Sequence, residues 1–205
     1  MTPVRGTDGQ DARATFWTVR DGRRVTIRPL DARALEPFAA FVRRLSATSR
    51  AQRFFAAVCE LGAEAVHRLV LVDQRQSVAW IAVDALAPHA VVGEVRYAAT
   101  APHAAEFAVA VADGWHRQGL GSLLLRRLLA HASAAGIRFA WGHVRCDNAV
   151  ALAVARRLGL GVAPDPDDRS LLIVRHPMRP GPSRRRLAPD APAGGQSPDL
   201  DAGDR

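Results

Sequence analysis

One stretch of the sequence, Glu106-Phe-Ala-Val-Ala-Val-Ala-Asp-Gly-Trp-His-Arg-Gln-Gly-Leu-Gly-Ser122, combines the residue types of an anion site with those of a proton acceptor. An apolar run leads into a glycine-containing turn, and the turn opens a long apolar segment. The first N–H groups of a helix have no partner within the helix and point toward such a turn. The helix macrodipole adds roughly half a positive charge at the same place. Gly119 and Gly121 lack a Cβ, so a pyrophosphate can approach the main chain closely. Gln118 and Leu120 complete the loop, and Arg117 and Ser122 can add side-chain donors. On this feature alone, the alternative is a tight turn kept small for packing. Other reactive side chains are read more plainly. His143 lies three positions before Cys146, but no second pair with ligand spacing exists, so no metal is expected. His131 and His143 read as packing or surface residues, and Trp80 and Trp141 as core. Trp115 either walls the site or packs.

The elements that must position this stretch alternate along the chain. Residues 24–28 read as a strand, with Val25 and Ile27 between polar residues. Asp31 is a candidate N-cap for a helix over 32–45, marked by Leu35, Phe38, Phe41, Val42 and Leu45. Two more helical stretches follow at about 47–56 and 61–71. Residues 77–84, 91–98 and 106–112 read as three strands, with Pro88 and Pro102 in their connections. Residues 119–135 form a helix with Leu123, Leu124, Leu128 and Leu129 on one side, ended by Gly136. A strand over 139–144, a helix over 149–158 closed by Gly159, and a strand over 170–174 complete the order. This predicts a single α/β domain with a mixed sheet over residues 15–178.

The whole chain sets bounds on what that domain does. Its 205 residues suit one domain with tails, and 48% hydrophobic residues suit a globular protein. Residues 1–14 are polar, and residues 179–205 are rich in Pro, Gly, Ala and Asp. Both are expected to be disordered, Arg184-Arg185-Arg186 included. No apolar run reaches the roughly 20 residues that span a bilayer. Nothing near Met1 resembles a secretory signal, so the cytoplasm is the expected location. Two cysteines, Cys59 and Cys146, are too few for a disulfide framework. The net charge is +8, and all 28 cations are arginine. A basic surface attracts polyanions, and coenzyme A with its phosphates is one. Nucleic acid is another, but no nucleic-acid motif is present and few aromatics are available for base stacking.

Val109-Ala-Val111, four spacer residues and His116-Arg-Gln-Gly-Leu-Gly121 resemble the acetyl-CoA loop of the GNAT acetyltransferases. The usual pattern there is Gln or Arg, two residues, Gly, any residue, then Gly or Ala; His116 departs from it at the first position. The resemblance implies that Val109, Ala110, Val111, Arg117, Gln118, Gly119, Leu120, Gly121 and Ser122 bind acetyl-CoA. Asn148, with Ala151, Leu152, Leu158 and Gly159, resembles the family's asparagine-led helix, which implies a contact of Asn148 with the cofactor arm. The family's tyrosine acid would fall at Ala155, so none is available there; Tyr97 is the only tyrosine. Leu45-Ser-Ala-Thr-Ser-Arg-Ala-Gln-Arg-Phe-Phe55, after Ile27-Arg-Pro29, is similar to the opening region of the Pat-type protein lysine acetyltransferases. Ala105-Glu-Phe-Ala-Val, with Asp113 before the loop, points the same way. This implies a mostly antiparallel sheet flanked by helices, and a protein lysine as acceptor.

Mechanism can also be argued from chemistry. An amine is protonated at neutral pH, so a base must remove a proton before the nitrogen attacks a thioester. A carboxylate among apolar residues has its pKa raised toward that task. Glu106, followed by Phe107 and Val109, is the candidate base. The resemblance agrees, since Pat-type enzymes place a glutamate near this strand position. The alternative is a strand-end glutamate paired with an Arg such as Arg96, and Glu94 is the second choice of base. A backbone N–H within Val109 to Val111 would stabilise the developing oxyanion if that strand bulges from its neighbour. The expectation is an acetyl-CoA-dependent N-acetyltransferase acting on a protein lysine or a small amine, without metal. A CoA-binding module without turnover is the alternative from another class.

Overall fold

The computed structural model describes residues 4–5, 15–55 and 62–177. The tails expected to be disordered, and Cys59, lie outside the described residues, except for the short strand β1 (Val4–Arg5). Beyond β1, β2 (Thr15–Thr18) and β3 (Arg24–Pro29) lead to α1 (Leu35–Arg44), α2 (Ala47–Phe54) and α3 (Ala63–Val70). Then come β4 (Ser77–Asp84), β5 (Ala87–Ala101), β6 (Ala104–Val111), α4 (Leu120–Ala134), β7 (Phe139–Arg145), α5 (Ala149–Arg157), β8 (Gly161–Pro164) and β9 (Leu171–Pro177). The described strands form one sheet in the order β1-β2-β3-β4-β5-β6-β7-β9-β8. All of its pairings are antiparallel except β6 with β7.

The helices start where capping chemistry puts them. Asp31 accepts the N–H of Arg33 at 3.0 Å and opens the turn into α1. Ser46 Oγ accepts the N–H of Ser49 at 3.1 Å and starts α2. Gly136 and Gly159, both at positive φ, follow the ends of α4 and α5.

Strand alternation sorts the core into two layers. Along β4, Val78 and Ala82 join Leu120, Leu124 and Leu128 of α4 in one cluster. Ala79, Ile81 and Val83 join Phe38, Phe41 and Val42 of α1 and Val66 and Val70 of α3 in the other. The sheet is therefore covered on both faces.

Three strands were not anticipated from sequence: β1, β2 and β8. β8 is bounded by Gly161 and Pro164, a composition that argues against a strand. It forms because β9 offers it an antiparallel partner from Leu172 to Arg175. β5 is also longer than the 91–98 segment, because its ends continue into hairpins with β4 and β6.

The β6–β7 junction positions the site. The two strands run parallel for only three rungs, Ala104 with Phe139, Ala105 with Ala140 and Glu106 with Trp141, and then part. The space just beyond the last rung is very tight: a Cβ placed on Gly142 would sit 2.5 Å from Phe107 O. Past that point β6 keeps its ladder to β5 as far as Val111, and its other edge is open. The bulge that an oxyanion donor within Val109–Val111 was made conditional on is absent. The β5–β6 register shifts only between Ala99 and Ala101, and the free edge arises because β6 and β7 fork.

Candidate active site

A cavity of about 740 Å³ fills the fork. Phe107, Val109, Ala110 and Val111 of β6 form one wall, and Val144 of β7, Asn148 and α5 form the facing one. Ala112 gives its N–H to Val92 O on β5 at 2.9 Å. Alternation along the strand then turns the amides of Val111 and Val109 away from β5, to the open edge. That edge is polar main chain facing a cavity, an arrangement suited to an extended ligand that can hydrogen-bond along a strand.

The floor is the turn into α4. Arg117 has φ 62° and Gly119 φ 87°, so the chain reverses sharply on either side of Gln118. Gly119 is the N-cap of α4 without a side-chain hydrogen bond, and the first amide to bond back is Leu123 N–H, to Gly119 O at 3.0 Å. The earlier amides thus face the turn. A Cβ on Gly119 would meet nothing within 4 Å, so glycine is required there by φ rather than by crowding. Arg20, Arg117 and Arg157 line the cavity, against the carboxylates of Asp113 and Asp147.

Several side chains have roles that the sequence did not disclose. His116 Nε2 lies 2.8 Å from Val111 O and donates to it, so this ring closes the end of β6. Gln118 is not part of the wall; its carbonyl accepts the N–H of Arg20 at 3.1 Å. Leu120 and Ser122 border the cavity but are buried, Leu120 within the core. Asn148 Oδ1 accepts the N–H of Ala151 at 3.0 Å and caps α5, and the residue lines the cavity. Asp113 accepts from Ser46 N at 2.9 Å, and from Ser46 Oγ and Ser49 Oγ at 2.7 Å, tying the start of α2 to the loop. Those hydrogen bonds outweigh partial burial and hold its carboxyl below the usual range. Trp115 is both packing and wall: it is buried, lines the cavity and carries Arg23 over its ring at 3.8 Å.

The two candidate bases part company. Glu94 is 1% exposed, with Arg96 on one carboxylate oxygen and Arg53 on the other at 3.3 Å. Burial alone would raise its pKa, but the two guanidinium groups prevail and hold it below its ordinary 4.5. A carboxylate fixed in this way cannot accept a proton from substrate. Among the described residues Glu106 has no arginine partner; Arg96, its partner in the alternative reading, belongs to Glu94. Glu106 occupies the last rung before the fork, on the face opposite to Phe107. Its neighbour is His143, whose Nδ1 lies 3.4 Å from Oε1. His143 was expected only to pack, and the register that brings it to Glu106 leaves no trace in a single sequence. Tyr97 lies elsewhere, buried against His131, and Ala155 stands in the cavity wall where a tyrosine acid would be. Among the described residues no cluster of histidine, cysteine and carboxylate groups could hold a metal ion.

Residues 41–160 match the model of the acetyltransferase (GNAT) family. The chain belongs to this family. It is 33% identical over 157 residues to the acetyltransferase PA5475 of Pseudomonas aeruginosa, across 76% of this chain and 84% of that one. Among solved structures it is similar to the GNAT domain of S. lividans PAT, with a TM-score of 0.73 and 26% identity, over 80% of this chain and 97% of the other. It shares the fold of RimL, the ribosomal L7/L12 alpha-N-protein acetyltransferase solved in complex with coenzyme A, with a TM-score of 0.61, 19% identity and 75% and 94% coverage. The GNAT protein is thus an acetyl-CoA-dependent N-acetyltransferase on a single α/β domain.

Proposed function

We propose that this enzyme moves an acetyl group from acetyl-CoA to the side-chain amine of a protein lysine, with Glu106 as the general base. The observation that carries the reading is the position of Glu106: it is the last rung of the β6–β7 ladder, where the cavity that would hold the thioester begins. The similarity to the S. lividans PAT domain supports a protein acceptor. Acetyl-CoA supplies a thioester carbon for attack, a sulfur leaving group and an anionic pyrophosphate. The residues present fit it. Main-chain donors at Gly119 to Ser122 with Arg20 and Arg117 suit the pyrophosphate, and the free edge at Val109 and Val111 suits an amide-bearing arm. Asn148 adds a side-chain amide on the facing wall. The residues of this chain then do three things: hold the thioester beside the fork, present a backbone donor to the developing oxyanion, and take a proton from the incoming ammonium.

The test is incubation of the full chain with labelled acetyl-CoA and whole-cell protein extract, in parallel with a panel of small amines. Lysine-acetylated extract proteins are the expected product. Label on a small amine alone would overturn the protein-lysine acceptor and leave the acetyltransferase intact. Glu106→Gln keeps the shape and removes the basicity, so the rate should fall about 10²- to 10⁴-fold with coenzyme A affinity nearly unchanged. Near-normal turnover would eliminate Glu106 as the base.

A further inference from the structure

His143 stands between two carboxylates. Its Nε2 lies 2.9 Å from Asp165 Oδ2, and its Nδ1 3.4 Å from Glu106 Oε1. The ring is held in place by its neighbours. Trp141 meets it edge-on at 5.1 Å and Phe55, just after α2, at 6.0 Å. Asp165 is fixed in turn: its side chain is 8% exposed and its Oδ1 accepts the N–H of Asp167 at 2.9 Å. These residues come from separate parts of the fold, β6, β7 and the segment joining β8 to β9, and they meet on the sheet face that carries Glu106.

The hydrogen-bond logic fixes the direction of proton flow. Asp165 is a carboxylate, so Nε2 of His143 donates to it. In the neutral ring Nδ1 then carries a lone pair, and that lone pair faces Glu106. An ionised Glu106 has nothing to donate to it, which matches the long 3.4 Å separation. Once Glu106 gains a proton, it can donate to Nδ1.

We infer that His143, oriented by Asp165, is a positioning residue that relays the proton from Glu106 and returns it to the ionised state within one turnover. The inference rests on Glu106 as base. The acceptor arrives as R–NH3+ and must lose two protons for one new N–C bond. Glu106 takes the first, passes it to Nδ1, and the imidazolium donates to both carboxylates until the proton leaves to solvent; the His143 side chain is 24% exposed. The neutral nitrogen attacks the acetyl carbon and the C–S bond breaks. The second proton leaves the nitrogen and ends on the coenzyme A sulfur. Products are R–NH–acetyl, coenzyme A thiol and one proton, so charge and atoms balance.

The groups facing His143 are Glu106 from β6, Asp165, Asp168 in the turn before β9, and Arg145 and Arg175 on the same sheet face by alternation. Asp168 accepts from Ser170 Oγ at 2.7 Å, and Arg145 is paired with Asp147 at 2.8 Å. The test uses the full chain. In NMR spectra, which need no acceptor, the His143 ring resonances should move in Glu106→Gln and in Asp165→Asn relative to the parent, because each variant replaces a group that faces a ring nitrogen. Ring resonances unmoved by both variants overturn the relay. With label uptake by extract protein as the rate, His143→Ala should lose about tenfold or more in kcat with KM for acetyl-CoA unchanged, and free imidazole should restore part of the loss. Parental kcat and pH profile in His143→Ala, while Glu106→Gln is impaired, would overturn the relay and leave the base in place. If Glu106→Gln is also unimpaired, the base reading fails and the relay with it. A loss that imidazole does not restore, accompanied by a lowered melting temperature, would make His143 structural and equally overturn the relay.

Discussion

Single residues in this protein divide by whether their charge or their backbone matters. Glu94 matters by charge. Replacing it with Gln would leave Arg53 and Arg96 without a counter-charge in a nearly dry position, and breaking such a buried pair costs about 3–5 kcal/mol. Thermal melting of Glu94→Gln should show that loss. In the parent, the folded pKa of Glu94 lies below its ordinary 4.5. Its contribution is therefore complete above that ordinary value and is lost as pH falls through the folded value. Acid titration of stability should lose this component in Glu94→Gln. The glycines of the turn matter by backbone. Gly119→Val forces a β-branched residue to φ 87° and should weaken coenzyme A binding at least tenfold, about 1.4 kcal/mol. Gly121→Ala is the cleaner probe. Its Cβ would lie 3.6 Å from Val111 Cγ2, an ordinary contact, so melting should be unchanged or slightly raised. Any loss in calorimetric affinity then reports on the approach of the ligand to the main chain.

Among elements, α2 depends most on the cofactor loop for its placement. None of its residues is fully buried, and Asp113 holds its first turn through three hydrogen bonds. Asp113→Ala should free that end at a cost of about 1 kcal/mol. KM for the acceptor should rise more than KM for acetyl-CoA, because α2 overhangs the Glu106 face. Equal rises in steady-state kinetics would show that Asp113 serves the cofactor side instead. The elements were largely legible in the sequence because their signals are local. The leucine spacing of α4, the Asp31 cap and the apolar run of β4 each depend on a few neighbouring residues. What was not legible depends on partners far along the chain. β8 exists only against β9, and His143 and Asp165 meet Glu106 only through the register of β6, β7 and β9. The free edge of β6 was sought in a bulge, a local device, and comes instead from a fork between strands joined through α4. Arg96 was offered to Glu106 from proximity in sequence, while the sheet gives it to Glu94 on its own strand.

At the scale of the whole molecule, the absence of lysine has a direct consequence. This acetyltransferase can carry no acetyl-lysine of its own, since all 28 cations are arginine. Mass spectrometry after incubation with acetyl-CoA should find self-labelling only at the N-terminal amine or another nucleophile. The three parallel rungs between β6 and β7 carry a different kind of consequence, a mechanical one. With the N–H groups of Arg138 and Phe139 on His103 O, they are the main-chain weld seen among the described residues between a plate of six strands and a plate of three. A wedge-shaped opening above so short a weld lets the plates rock, and a ligand bonded along Val109 to Val111 on one side and to Asn148 on the other acts as a clasp across it. Acetyl-CoA at about a hundred times its Kd should then add about 2.7 kcal/mol of stability. Amide exchange should slow most at Val109, Val111 and Val144, on the two lips, and least in the middle of β4, which both layers already hold.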